Sequence, residues 1–322
     1  MSRNLQASFL ETFQEQGFVV VDEVLDPGKD LQPIVEEYQD LLDRLATHLV
    51  REGQLTSTYR DLPVCERLMR ITQETGHLHT QPLDISLPQS EIAHDTPMHT
   101  GRAVFDLLRN PRLLDRVEAF IGPEIYSNPV QHTRFKLPKQ AIPRGNWNGL
   151  ADTVGWHQDR GVILPEADES TILTVWIPIT ESTEENGCLK VVPESNKHDL
   201  QTHCPASRGG LNIPGRLLRR EPVTVPMKPG SVLFMTHDTI HSSLPNRSDK
   251  VRWSFDLRYS PIGQPTGRPL FPGFVARSRS HPESVLTDPD VWSQLWSDTR
   301  SRLENQENPV YNRWSEDTPG CA

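Results

Sequence analysis

The chain has 322 residues, with 33 Lys and Arg against 43 Asp and Glu, for a formal net charge of −10. Such an acidic balance argues against nucleic acid or an anionic membrane as the main partner, because both reward clustered Lys and Arg. Apolar residues make up 35% of the chain, mean hydropathy is −0.54, and no apolar run is long enough to cross a bilayer. Residues 1–10 lack an apolar signal core, and Cys65, Cys188, Cys204 and Cys321 form no CxxC pair. The expectation is a cytoplasmic protein with reduced thiols, with little support for disulfides or a zinc site.

Residues 5–16 read as a short amphipathic helix that stops at Gly17, and residues 18–21 as a β-branched strand. From 31 to 50, Leu31, Ile34, Val35, Tyr38, Leu41, Leu42, Leu45 and Leu49 recur at three and four, the strongest helical period in the chain. Helices are also predicted at 64–75, 102–108 and 111–121, with a Pro-rich loop over 77–100. Beyond Gly122 the pattern becomes strand and turn. Strands are predicted at 125–137, 154–162, 172–180, 187–192, 221–225, 231–235 and 251–259, and a closing helix at 291–303. The 195–220 segment, with Arg208, Arg216, Arg219 and Arg220, reads as an insertion and a candidate lid. Helices followed by a run of strands imply an α+β domain with a sandwich or barrel. We expect one domain: a helical region over residues 1–122, a core over 123–260 and an extension with a helix over 261–322.

Chemistry concentrates in Trp156-His157-Gln158-Asp159. His157 and Asp159, two positions apart, would share one face of a strand. With His241 downstream they make the two-His-one-carboxylate set that binds non-haem Fe(II) on one face and leaves the other open. In the strand at 251–259, Val251, Trp253, Phe255, Leu257 and Tyr259 alternate with Arg252, Ser254, Asp256 and Arg258. Alternation ordinarily means core against water. In a small barrel the polar face can instead line the lumen, where Arg252 would match a carboxylate.

Residues 9–21 (FLETFQEQGFVVV), the WHQD motif, Glu185-Asn186-Gly187-Cys188-Leu189 running to Pro193-Glu194-Ser195, Gly230-Ser231-Val232-Leu233-Phe234, and His241 through Asn246 to Arg252 resemble the phytanoyl-CoA dioxygenase (PhyH) family. The resemblance runs from about residue 5 to 260. It implies a double-stranded β-helix (jelly-roll, cupin-like) core with the N-terminal helices packed on it, and a dioxygenase that uses Fe(II), 2-oxoglutarate and O2. It further implies His157, Asp159 and His241 as iron ligands, Arg252 and Ser243 on 2-oxoglutarate, and Trp176 and His132 lining the cosubstrate pocket. The family also uses a Lys before the sheet. The stretch near His94 to Arg102 offers none, so that role is either missing or taken by His99 or Arg102. A carboxylate at Asp159 favours hydroxylation or a related oxidation, because a small residue there would open a site for chloride and halogenation.

Other residues carry competing readings. His237, four before His241, competes as the third ligand. His77, His79, His94 and His99 cluster in one loop, but their spacing fits no compact second metal site. Arg144, Asn146 and Trp147 read equally as surface or substrate cover. Arg160 is expected in a salt bridge, and Arg258 either in an ion pair or against an anionic substrate. The expected enzyme hydroxylates or otherwise oxidises a small organic metabolite, with succinate and CO2 as co-products, and is a monomer or homodimer. The alternatives are an inactive jelly-roll ligand-binding protein, an acyl-CoA hydroxylase, or a cupin-type metal enzyme without 2-oxoglutarate.

Overall fold

The computed structural model describes residues 3–143, 151–205, 210–307, 309–315, 318 and 321. The N-terminal region contains α1 (Arg3–Gln16), β1 (Phe18–Val21), α2 (Gln32–Arg51), α3 (Val64–Thr75), α4 (Arg102–Leu108) and α5 (Pro111–Ile121). The remainder contains β2 (Ile125–Lys136), β3 (Leu173–Pro178), β4 (Leu189–Val191), β5 (Cys204–Pro205), β6 (Leu211–Asn212), β7 (Val223–Val225), β8 (Val232–Thr236), β9 (His241–Ser243), β10 (Arg252–Pro261), β11 (Phe274–Arg277) and α6 (Pro289–Leu303).

A six-stranded antiparallel sheet, in the order β1-β8-β3-β10-β2-β11, faces a three-stranded sheet, β7-β4-β9. The two sheets form a jelly-roll core. The α2 stripe Ile34, Tyr38, Leu42, Ala46 and Leu49 is buried, as its spacing requires. It packs on the outer face of the large sheet, where Tyr38 meets Phe135, Trp253 and Phe255. That packing settles the alternation of β10. Trp253, Phe255, Leu257 and Tyr259 point to the helices, so Arg252, Ser254, Asp256 and Arg258 point into the lumen. Every residue from Arg252 to Ser260 is buried, so neither face meets water. The main apolar cluster runs from Phe9 to Tyr311. A second one, of Trp176, Leu189, Val191, Val225, Met227, Leu233 and Met235, lies between the sheets.

Several elements differ from expectation. No strand covers 154–162. His157 makes one isolated bridge with His241, and the chain then turns through a single 3₁₀ turn, Asp159–Val162. The stretch around the motif, GWHQDRG, is short of β-branched residues and holds Asp and Gly, which strands disfavour. The pair β5–β6 and the strands β9 and β11 were not predicted; CP, LN and HSS in β5, β6 and β9 carry no run of alternating apolar and polar residues. The expectation against disulfides also fails for one pair: Cys204 and Cys321 are bonded, with Cα atoms 5.2 Å apart, while Cys65 and Cys188 are free. Their sequence separation of 117 residues hides the pairing, because only tertiary structure brings the two together.

Candidate metal centre

The loop before the 3₁₀ turn presents His157, the first residue of that turn is Asp159, and β9 presents His241 through the bridge between the two histidines. The bridge is held by His157 N–H to His241 O at 3.0 Å and His241 N–H to His157 O at 2.9 Å. One ligand atom from each of the three residues lies within 4.8 Å of the others, and all three residues are buried. His157 Nε2 stands 3.8 Å from Asp159 Oδ1. His157 Nδ1 faces Gly155 O at 2.9 Å and His241 Nδ1 faces Thr239 O at 3.0 Å. Each backbone carbonyl accepts an Nδ1–H, which leaves both Nε2 lone pairs for a metal. Burial, and then the neighbouring His241, push the His157 pKa down to about 3. The ring is therefore neutral at neutral pH, as ligation requires.

Asp159 is held at both oxygens. Oδ1 accepts Arg258 Nη2 at 2.5 Å, and Oδ2 accepts the Thr174 hydroxyl. Burial alone would raise its pKa, but Arg258 and the two histidines outweigh it and keep the carboxylate ionised.

Along the same lumen the register sets Arg252 opposite Lys136, Ser254 between Arg134 and Pro178, Asp256 between His132 and Trp176, and Arg258 beside Thr174. At the far end Lys136 Nζ donates to Ser243 Oγ and Leu244 O, both at 2.5 Å. Arg252 donates to Ser254 Oγ at 2.6 Å, and its guanidinium lies 5.3 Å over the Trp176 ring. Its Nε is buried without a partner. Among the described residues neither cation has a carboxylate within ion-pair distance, although both are 2% exposed. Burial depresses both, Arg252 to about 9 and Lys136 well below its ordinary range, each with a neighbouring arginine adding to the effect. Two buried cations beside an unpartnered donor fit an anionic group such as a carboxylate. A 2-oxoglutarate carboxylate placed between Arg252, Lys136 and Ser243 would supply the missing charge.

The model of the phytanoyl-CoA dioxygenase (PhyH) family matches residues 13–254, about three quarters of the sequence. The chain belongs to this family. Among curated relatives, the phytanoyl-CoA dioxygenase of Arabidopsis thaliana is 30% identical over 41% of this chain and 44% of its own. The human peroxisomal enzyme is 25% identical over 55% and 54%. The chain thus spans about half the length of these relatives. Among solved structures, the apo non-heme monooxygenase ThoJ superposes with a TM-score of 0.56 at 16% identity, over 92% of this chain and 96% of that one. The epimerase SnoN in complex with Fe3+, alpha ketoglutarate and nogalamycin RO gives 0.53 at 19%, over 83% and 89%. At such identities the likeness is one of fold.

Within this PhyH fold the other candidates are placed as follows. Trp176 packs in the apolar cluster between the sheets, under Arg252. His132 lies in the same cross-strand row as Asp256 and Trp176, with Nδ1 2.8 Å from Asp84 Oδ2. It is therefore closer to the metal end than to the Arg252 end. His99 and Arg102 do not replace the family's lysine. His99 sits on the helix side of the sheet against Tyr38, paired with Glu37 at 2.8 Å, and Arg102 is exposed beside Asp106. Lys136, missed as a site residue, occupies the position beside Ser243. Its signal was the alternation of His132, Arg134 and Lys136 along β2, three polar residues on one face of a buried strand. His237 is outside the triad, with Nδ1 3.3 Å from Ile172 O. Among the described residues the triad is the only compact group of three or more metal-ligating side chains, and the loop histidines are not part of it. Arg160 pairs with Asp238 at 2.8 Å, as expected. Arg258 takes the ion-pair reading, bridging Asp159 and Asp256 (3.4 Å). Arg144, Asn146, Trp147 and Arg208 lie outside the described residues.

Proposed function

We propose that this protein is an Fe(II)/2-oxoglutarate-dependent oxygenase that hydroxylates, or otherwise oxidises, a small organic substrate. Succinate and CO2 are the co-products. The observation that carries this is one lumen with a buried His157–Asp159–His241 triad at one end and the uncompensated Arg252–Lys136 pair at the other. Iron held by His157, Asp159 and His241 would supply O2 activation, and oxidative decarboxylation of 2-oxoglutarate would supply the electrons.

The protein's own role is binding and orientation. His157 and His241 offer Nε2 because backbone carbonyls hold their Nδ1–H groups. Arg258 and Thr174 fix the carboxylate plane of Asp159. Arg252 and Lys136 orient the cosubstrate by its distal carboxylate, with Ser243 held beside Lys136, and Trp176 and the apolar cluster keep water from that end. The carboxylate at Asp159 supports hydroxylation or a related oxidation rather than halogenation. A small metabolite is favoured over a CoA ester because the basic residues of the insertion are partly engaged: Arg220 pairs with Glu194 at 2.9 Å, and Arg219 faces His198.

The test is 2-oxoglutarate turnover by the Fe(II)-loaded protein under air, read as slow succinate release without added substrate, together with calorimetric 2-oxoglutarate binding to the Mn(II) form. Absence of both overturns the oxygenase reading and leaves a ligand-binding jelly roll. His157→Ala is expected to lose metal at concentrations that saturate the wild type.

A further inference from the structure

Among the described residues, the segment carrying His157 and Asp159 joins the β9 backbone only through the bridge at His157 and the Ser243 N–H to Val154 O bond at 3.2 Å, with no ladder continuing past His157. Its outer side is held by two stretches of the chain remote in sequence. From the insertion, His203 Nε2 accepts the Gln158 N–H at 2.9 Å, and its Nδ1 faces Gln201 O at 2.8 Å. Gln201 N–H donates to Gln158 Oε1 at 2.8 Å, and Gln158 Nε2 donates to Asp238 O at 2.9 Å. Gln158 and His203 are fully buried. The residue between the two ligands is therefore tied at its backbone and at both ends of its side chain.

From the C-terminal tail, Trp314 Nε1 donates to Gly161 O at 2.5 Å, and Arg313 Nε to Ile163 O at 3.1 Å. Arg313 also pairs with Asp168 at 2.6 Å. The Trp314 indole stacks on the His203 ring at 5.3 Å and 24°. Only a glycine fits at Gly161, because a Cβ there would overlap the His203 ring. The Cys204–Cys321 bond joins the two elements one residue beyond His203.

We propose that the insertion and the tail form a clasp on the iron-ligand segment, closed by the Cys204–Cys321 bridge, with His203 as the positioning residue for His157 and Asp159. Opening the clasp lowers metal affinity. Both cysteines are partly exposed, so a small dithiol reaches them. In the exchange, the Cys204–Cys321 S–S bond breaks and an S–S bond forms in the dithiol. Two electrons and two protons pass to the two cysteines. The clasp thus makes metal retention depend on the thiol–disulfide balance around the protein. This rests on the metal assignment above.

The experiment measures Co(II) affinity by calorimetry and d–d absorbance, with a thermal melt of each variant. Thiol counting on the denatured, unreduced wild type should find two free thiols, Cys65 and Cys188; four overturns the clasp. Cys321→Ser should bind Co(II) at least tenfold more weakly than the oxidised wild type. Wild type reduced with a dithiol and freed of it anaerobically should match that variant. His203→Leu should be similarly weak. His203→Gln, which again offers Gln158 an acceptor and Gln201 a donor, should return to within threefold of wild type. Wild-type-like affinity in Cys321→Ser overturns the clasp, and equal weakness of His203→Leu and His203→Gln overturns the positioning role. If the wild type itself binds no Co(II), the metal assignment falls and the clasp with it; binding that the variants leave unchanged removes the clasp alone.

Discussion

Arg252→Met separates the cost of a buried cation from its use. Among the described residues, Arg252 donates to Ser254, has a buried Nε without a partner, and meets no carboxylate at ion-pair distance. Burial pulls its pKa down to about 9, which records how poorly the charge is solvated there. Methionine fills similar space without a charge, so the unliganded variant should gain about 1–2 kcal/mol of stability. Affinity for 2-oxoglutarate should move the other way. Truncating one partner of a buried, hydrogen-bonded charge pair costs about 2–5 kcal/mol. Lys136 remains beside the carboxylate, so the lower half applies: about 2–3 kcal/mol, or roughly 30- to 150-fold in Kd. Calorimetric titration of 2-oxoglutarate into the Mn(II)-loaded protein and a denaturant midpoint for the unliganded protein give the two numbers. An affinity within threefold of wild type refutes the assignment of Arg252 to the cosubstrate. Loss of stability and affinity together makes Arg252 a structural residue. Retained Mn(II) binding in the variant belongs to the expectation.

Lys136→Met should weaken 2-oxoglutarate in the same assay, and the double variant with Arg252→Met should lose more than either alone but less than the sum, because both cations act on one carboxylate. Arg258→Met leaves Asp159 and Asp256 buried without their shared cation. It should cost roughly 3–5 kcal/mol in unliganded unfolding free energy, partly recovered by Mn(II), whose charge substitutes for the guanidinium. A loss below about 1 kcal/mol would show that water reaches that end of the lumen. Burial holds the His203 pKa at about 4 against an ordinary 6.5, so the unfolded chain takes up the proton first as pH falls. The contribution is complete above pH 6.5 and is lost between 6.5 and about 4, to a maximum of roughly 3 kcal/mol. His157, at about 3, extends the same acid loss downward in the metal-free protein. Unfolding free energies of metal-free wild type and His203→Gln across that range should show a shallower slope in the variant, and identical slopes would place the acid sensitivity elsewhere.

The chemistry of the site was legible in the sequence wherever a side chain's role depends on its own type and on local period. His157, Asp159 and His241 are donors suited to Fe(II) whatever the backbone does around them, and the alternation along β10 put Arg252 on the face opposite Trp253 before any fold was known. The α2 stripe of Ile34, Tyr38, Leu42 and Leu49 marked the face that covers the large sheet for the same reason. Local period did not show that the ligand segment is a clamped turn rather than a strand. It also did not show that Lys136 meets Ser243, that Arg258 holds Asp159, or that Cys204 bonds Cys321. Each of those pairings joins residues about 100 or more apart. A period of 2 or 3.6 records only which face a residue shares with its neighbours, and which remote face it meets is decided when the two sheets close and the tail folds back over them.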